Sequence, residues 1–338
     1  MVSSQNHADD RSPVALITGG NGFVGSHLAH RLTELGYTVH LLLRSTSNRD
    51  NIKGLDYKTI IGDLRSAASM SEAVSGADYI FHSAGVIKAG SAAEFHKVNA
   101  DGTENLIRIT AEHAKHLKQF VYISSQAAAG PCQKKRPKSE AEPPVPVSDY
   151  GRSKLAGEKV VLRYGDRVPV TIIRPPAVFG PRDQGILQFF KAVKTGFLLK
   201  FGRKEPFVSL VYAKDLVEGI IAAATSDKSI GETFFINSID EISQWRVQEL
   251  IAEVMNVEVK PLLIPIPLLK LAGSVVGGLD KMLGHVPSFS RDKAEELSCR
   301  YWLSSSEKAE KLLDYSPRWS IKDALRVTYR WYENHRWL

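Results

Sequence analysis

Short apolar runs alternate with stretches of helical spacing through the first half of the chain. Val14 to Thr18 is apolar and ends in a glycine turn, and Val24, Leu28, Leu32 and Leu35 recur at helical spacing directly after it. This predicts a strand, a turn and a helix over 23–35. Gly36 stops that helix, and Thr38 to Leu43 reads as a second strand. Further strands are predicted over 57–61, 78–82, 120–124 and 170–174, with helices over 69–74, 94–116 and 149–164. Alternation of this kind predicts an α/β fold, a Rossmann-type doubly wound parallel sheet with helices on both faces.

After Arg174 the texture changes. Prolines stand at 175, 176 and 181, short elements follow, and helices are predicted over 213–224, 244–255, 268–283, 305–313 and 321–334. The expected organisation is a flexible tail over 1–12, a dinucleotide-binding domain over 13–175 with its sheet completed by later segments, and a smaller, mixed, mainly substrate-binding C-terminal lobe over 176–338. The tail is polar and lacks the basic start and apolar stretch of a secretory signal. The segment 261–279 carries one charge, Lys270, but three prolines in its first seven residues argue against a spanning helix. Leu271, Val275, Leu279 and Met282 then repeat at helical spacing, which predicts a helix packed into the core of the second lobe. A pocket wall and a peripheral membrane contact are the other uses open to it; stable membrane insertion is not expected.

Composition narrows the function only slightly. A net charge of +7 suits an anionic cofactor, a nucleic acid or an acidic membrane surface equally. The basic cluster Lys134, Lys135, Arg136 and Lys138 has no interleaved aromatics to stack on bases, so it reads as a solvated loop and no nucleic-acid partner is expected. Cys132 and Cys299 are too few for a disulfide scaffold, which points to a reducing, cytoplasmic setting. His82 and His96 read as packed side chains, and no metal site is expected.

Three motifs carry chemistry. Gly19, Gly22 and Gly25 lie between a strand and a helix, where they allow a tight turn and leave the amides of the helix start, at Phe23 and Val24, facing a pyrophosphate. The second strand ends at Arg44 where an acid would accept a ribose hydroxyl, and Ser45, Ser47, Arg49 and Lys53 add charge and hydroxyls, so NADP is favoured over NAD. Tyr150 and Lys154 stand four residues apart at the start of a predicted helix and share one face. A neighbouring ammonium favours a phenolate, so Lys154 is expected to lower the Tyr150 pKa and let it act as acid or base. Ser125, at the end of the preceding strand, supplies a hydroxyl to hold the reacting oxygen.

These motifs, in this order with Asp63-Leu64, His82 to Gly85, Asn99 to Thr103, Ile123 to Ser125 and Arg174 to Pro181, resemble the extended short-chain dehydrogenase/reductase superfamily, the NAD-dependent epimerase/dehydratase family, over most of the chain. The resemblance implies a Ser125, Tyr150, Lys154 triad in which Tyr150 is the acid/base, Lys154 also binds the nicotinamide ribose and Ser125 orients the substrate oxygen. It places Asp63 against the adenine, Ala84 and Gly85 along the cofactor, and Pro175 beside the nicotinamide, with Leu64, Ser83 and Asn99 in the same site. It also leaves open a homodimer through the Tyr150 helix.

Branches of the family differ at inspectable positions. Dehydratases carry an Asp-Glu pair where this chain has Gln126-Ala127. Nucleotide-sugar epimerases use an asparagine and an arginine for the diphosphate at the places held here by Ala177 and Val208, although Arg182, Arg203 and Lys204 stand nearby. The segment from Phe207 to Gly219, and the tail with Tyr301-Trp302 and Trp331-Tyr332, look closer to the 3β-hydroxysteroid dehydrogenase and dihydroflavonol reductase branch. The expected activity is hydride transfer at a secondary alcohol or ketone of a fairly apolar small molecule. A nucleotide-sugar epimerase is the alternative, and a non-catalytic dinucleotide-sensing protein a minor one.

Overall fold

The computed structural model describes residues 11–66, 68–283, 285 and 290–338, so most of the expected tail lies outside the described residues. Seven strands form one parallel sheet: β1 (Val14–Thr18), β2 (Thr38–Leu43), β3 (Lys58–Ile61), β4 (Tyr79–His82), β5 (Gln119–Ile123), β6 (Val170–Arg174) and, far along the chain, Thr233–Phe235. From one edge the order runs Thr233–Phe235, β6, β5, β4, β1, β2, β3. This is the Rossmann-type doubly wound sheet that the strand and helix alternation predicts.

Both faces are dry, and the period-2 alternation of the strands says why. Ala15, Ile17, Phe81, Val121 and Ile123 point to the face covered by the helices Phe23–Glu34 and Ala213–Ala224. Leu16, Ile80, Phe120 and Tyr122 point to the other, against Ala68–Ser75, Gly102–His113 and Asp149–Arg163. Every residue of β5 is buried, which accounts for its continuous apolar run.

A second core, built on Phe179, Phe190, Leu210, Tyr212, Ile251 and Tyr332, belongs to the later segments. There Phe207–Tyr212 is the middle strand of a small mixed sheet, paired with Ala177–Phe179, Ile239–Ser243 and Tyr301–Trp302. A two-stranded parallel ribbon, Phe197–Phe201 with Lys260–Ile264, lies apart from it.

Two sequence expectations need correction. The helix expected over 94–116 runs instead as Ala92–His96, a π-helical turn Lys97–Asp101, and Gly102–His113. The helix carrying Leu271, Val275, Leu279 and Met282 spans Ile266–Met282, but those four side chains are 58, 51, 54 and 84% exposed rather than packed in a core. Periodicity reveals an apolar face without revealing what covers it. The face that does pack carries Leu269 and Gly273, set against the helix Arg291–Ser298: a Cβ on Gly273 would stand 2.9 Å from the Ser290 carbonyl oxygen and 3.1 Å from Ala294.

Candidate active site

In a sheet of this order the connections diverge in opposite directions on either side of β1, opening a crevice beyond the strand C-termini. All the motifs converge there. Thr18 ends β1, Arg44 follows β2, Asp63 follows β3, Ser83 follows β4, Ser125 lies two residues beyond β5 and Pro175 follows β6.

The glycine turn is shaped by close approach. Gly19 has φ +70°, and a Cβ on it would stand 2.7 Å from the Ala84 backbone nitrogen. A Cβ on Gly25 would fall 2.3 Å from the Gly19 carbonyl oxygen. The helix start at Gly22 has no side-chain cap and no acid in its first turn, so the amides of Phe23, Val24 and Gly25 present positive dipole ends to the crevice. An exposed, uncapped, glycine-lined helix start fits a pyrophosphate. Asn21 ties this turn to the β2 loop through bonds with Asn48 and Asn51 of 2.9 and 3.0 Å.

Arg44 is exposed at the head of a compact turn, in which its amide donates to the Ser47 hydroxyl at 3.1 Å. Leu43 pairs with Ile61, so Arg44 and Asp63 leave neighbouring strand ends, and Asp63 is drawn down to about pH 2, first by its bonds to Arg65 and more weakly by the Arg44 charge. The Asn105 amide holds the Leu64 carbonyl at 3.0 Å.

Beneath the turn runs a buried relay. The Ala84 amide donates to the Thr18 hydroxyl at 3.2 Å, leaving the Thr18 proton for His82 Nδ1 at 2.7 Å. Because the Thr103 hydroxyl donates to the Asn99 carbonyl at 2.8 Å, it accepts from His82 Nε2 at 2.9 Å. Each bond thus assigns the next, and His82 is neutral; burial and the Lys154 charge push its pKa down to about 3. His82 is a fixed spacer in this arrangement.

Asn99 does more than its bare motif indicated. Carried on the π-helical turn, its side chain exchanges two bonds with the Val86 backbone, at 2.8 and 3.0 Å, and donates to the Ser153 hydroxyl at 2.9 Å. It therefore pins the Ser83 to Val86 loop to the helix that bears Tyr150 and Lys154.

That helix, Asp149–Arg163, is capped twice. The Ser148 hydroxyl accepts the Gly151 amide at 3.0 Å, and the Asp292 carboxylate accepts the Asp149 amide at 2.8 Å and the Tyr150 amide at 3.5 Å. Its first turn brings the Tyr150 phenol near enough to the Ser125 hydroxyl for that hydroxyl to favour the phenolate. Lys154, one turn on, is buried, donates to the Ile123 carbonyl at 2.7 Å and lies 4.3 Å over the Tyr122 ring. A Cβ on Gly85 would reach within 2.9 Å of Asn99 Oδ1 and 4.0 Å of Lys154 Nζ. Ser125, Tyr150, Lys154, Asn99 and Gly85 thus share one end of the sheet.

The electrostatics depart from the sequence argument. Burial raises the Tyr150 phenol to about 12, with the Ser125 hydroxyl pulling the other way and the Glu296 charge adding to the rise. Burial lowers Lys154 to about 7, against the attraction of Glu158. Lys154 does not draw the phenol down, because with its own pKa lowered to about 7 it has lost its charge in the range where the phenol titrates. Tyr150 therefore stands as a neutral phenol, a proton donor.

Two groups near the site, Glu158 and Asp292, were missed in the sequence, and Arg174 was read only as part of its motif. Glu158 and Arg174 form a buried ion pair behind Lys154, and Asp292 reaches the Tyr150 helix from 143 positions away, with no local signal. The basic loop is also not simply solvated. Lys138 is 7% exposed and donates to the Ala129 carbonyl at 2.6 Å, Lys135 pairs with Glu241 and lies 3.7 Å over Phe207, and Arg136 pairs with Glu142. Arg182 is likewise engaged: it donates to the Ser26 hydroxyl at 3.0 Å and meets His30 at 3.3 Å on the Phe23–Glu34 helix.

Among the described residues no group of three metal-ligating side chains is placed to hold an ion. Nor is any helix among them long and apolar enough to cross a membrane.

Residues 15–236 match the family model described as NAD dependent epimerase/dehydratase family. The chain is 28% identical to a ceramide reductase of Caulobacter vibrioides, over 98% of each chain. It is 26% identical to a decarboxylating sterol-4-alpha-carboxylate 3-dehydrogenase of Saccharomyces cerevisiae, over 94% of this chain and 97% of the relative. In fold it is similar to a UDP-glucose 4-epimerase of Thermotoga maritima, with a TM-score of 0.78 at 22% identity, covering 96% of this chain and 99% of that one.

Proposed function

The chain belongs to the NAD dependent epimerase/dehydratase family, within the extended short-chain dehydrogenases/reductases, and we propose that it reduces a ketone of a fairly apolar small molecule to the secondary alcohol. The observation that carries this reading is the Tyr150 phenol, kept protonated by burial and set close to Ser125 at the same end of the sheet as the glycine turn.

Phe23, Val24 and Gly25 hold the pyrophosphate through their backbone amides, and Asp63 and Leu64 flank the adenine side. Ser83, Ala84, Gly85, Asn99 and Pro175 line the remainder of the cofactor. Reduced nicotinamide, when bound, supplies a hydride to the carbonyl carbon. Ser125 donates to the carbonyl oxygen and orients it. Tyr150 passes its phenolic proton to that oxygen as the C–O bond gains alkoxide character. Lys154, with a pKa near neutrality, is placed beside Gly85 to bind the nicotinamide ribose and return a proton toward Tyr150.

Arg44, exposed beside Asp63, supports a preference for NADP, since its guanidinium suits a 2′-phosphate. The apolar substrate class rests on what a diphosphate would need. Ala177 and Val208 offer no charge there, and Arg182 is occupied at the Phe23–Glu34 helix. The names of the ceramide reductase and sterol dehydrogenase relatives point the same way. Transfer of label from C4-deuterated NADPH to the carbinol carbon of an apolar ketone, read by mass spectrometry, tests the reading. Label that stays on the cofactor contradicts it.

A further inference from the structure

Nine large apolar side chains are exposed along one stretch of chain: Leu262, Leu263, Leu268, Leu271, Val275, Val276, Leu279, Met282 and Leu283. Leu268, Leu271, Val275, Leu279 and Met282 follow one another at spacings of three and four, so they form one stripe along the 17-residue helix Ile266–Met282. At 1.5 Å per residue that stripe is about 21 Å long. Soluble surfaces rarely leave so much contiguous apolar area bare without a use for it.

The opposite side of the helix is already committed to the helix Arg291–Ser298 through Leu269 and Gly273. That second helix carries Asp292, which holds the amides of Asp149 and Tyr150. The stripe is therefore the outer face of a helical pair whose inner helix braces the Tyr150 helix. Its rim is basic. A Cβ on Gly202 would lie 3.2 Å from the Ile266 side chain, which sets exposed Arg203 and Lys204 beside the start of the stripe. Lys270, on the flank of the helix, is neutralised by Glu295 at 2.8 Å and takes no part in the rim.

We propose that the Ile266–Met282 helix, with the preceding Leu262 and Leu263, is a docking surface for an anionic lipid bilayer, into which the stripe inserts parallel to the membrane plane. A convex apolar helix face bordered by cations is the form of an interfacial helix. The surface does not depend on the chemistry proposed for Tyr150, although it would give a catalyst of apolar ketones direct access to substrate dissolved in lipid.

Sedimentation of the whole protein with phosphatidylcholine vesicles, with and without phosphatidylglycerol, tests the proposal. The wild type should pellet with the mixed vesicles and more weakly with phosphatidylcholine alone. Leu271→Gln with Leu279→Gln should cut partitioning about 100-fold, with melting temperature and dinucleotide binding retained. Arg203→Gln with Lys204→Gln should remove the preference for anionic vesicles. Wild type that stays in the supernatant with both vesicles overturns the proposal, as does a double leucine variant that pellets like wild type. A lipid-free dimer that the leucine variant splits would show that a second copy covers the stripe, and would overturn it equally. Turnover of a water-soluble ketone by the leucine variant reports separately on the catalytic reading.

Discussion

Arg174 grips the Glu158 carboxylate with two hydrogen bonds, of 2.9 and 2.6 Å, in a pair whose side chains are only 8 and 2% exposed. The Ser124 hydroxyl donates to the same carboxylate at 2.5 Å. Glu158 lies one turn beyond Lys154, and Arg174 ends β6 immediately before Pro175. One carboxylate therefore locks the helix of Tyr150 and Lys154 to the two strand ends that carry Ser125 and Pro175.

Glu158→Gln leaves the Arg174 charge buried and poorly matched. Removing one partner of such a pair costs about 3–5 kcal/mol, whereas replacing both with apolar residues of similar volume is closer to neutral. Urea unfolding should show Glu158→Gln strongly destabilised and Glu158→Leu with Arg174→Leu less so. A single variant within about 1 kcal/mol of wild type contradicts the locking role.

Tyr150→Phe removes the proton donor and little else, because the ring still packs at 6.0 Å from Phe95. Turnover should fall by about 10²- to 10⁴-fold, while fluorescence titration gives an unchanged dinucleotide affinity. Retained turnover refutes the assignment.

Arg44→Ala should weaken NADPH binding about tenfold and leave NADH binding nearly unchanged. Tighter NADH binding in the wild type, insensitive to the substitution, sinks the NADP preference.

Lys154 also makes a stability prediction. The unfolded lysine keeps its proton to about 10.5, but burial lets the folded one go at about 7. Between those values the unfolded state holds more protons, so stability rises with pH; the burial penalty is complete below pH 7 and fades toward pH 10.5. Without dinucleotide, Lys154→Met should melt higher than wild type below pH 7, and the gap should close as the pH approaches 10. A gap independent of pH contradicts the lowered pKa.

The first six strands and the helices over 23–35 and 149–164 were legible because each obeys a local period and ends in a glycine, a cap or a polar loop. The seventh strand, Thr233–Phe235, was not: three residues carry too little pattern, and its place beside β6 is set by pairing across some 60 positions of chain. Gly19, Gly25 and the Tyr150 to Lys154 spacing announced the site, since their roles depend on backbone geometry within one turn. Asp292 and the Glu158–Arg174 pair depend on tertiary contact alone. Lys154 shows the same limit in its chemistry. Spacing placed it one turn from Tyr150, but only the depth of burial decides in which direction each of the two side chains shifts.

The most direct measurement follows nicotinamide absorbance as the wild-type protein meets NADPH with a series of apolar ketones, and separately assays it with UDP-glucose and NAD. Ketone-dependent consumption of NADPH that Tyr150→Phe abolishes is expected, with no formation of UDP-galactose. Interconversion of the two sugars without net cofactor consumption, together with inert ketones, would contradict the proposed reduction.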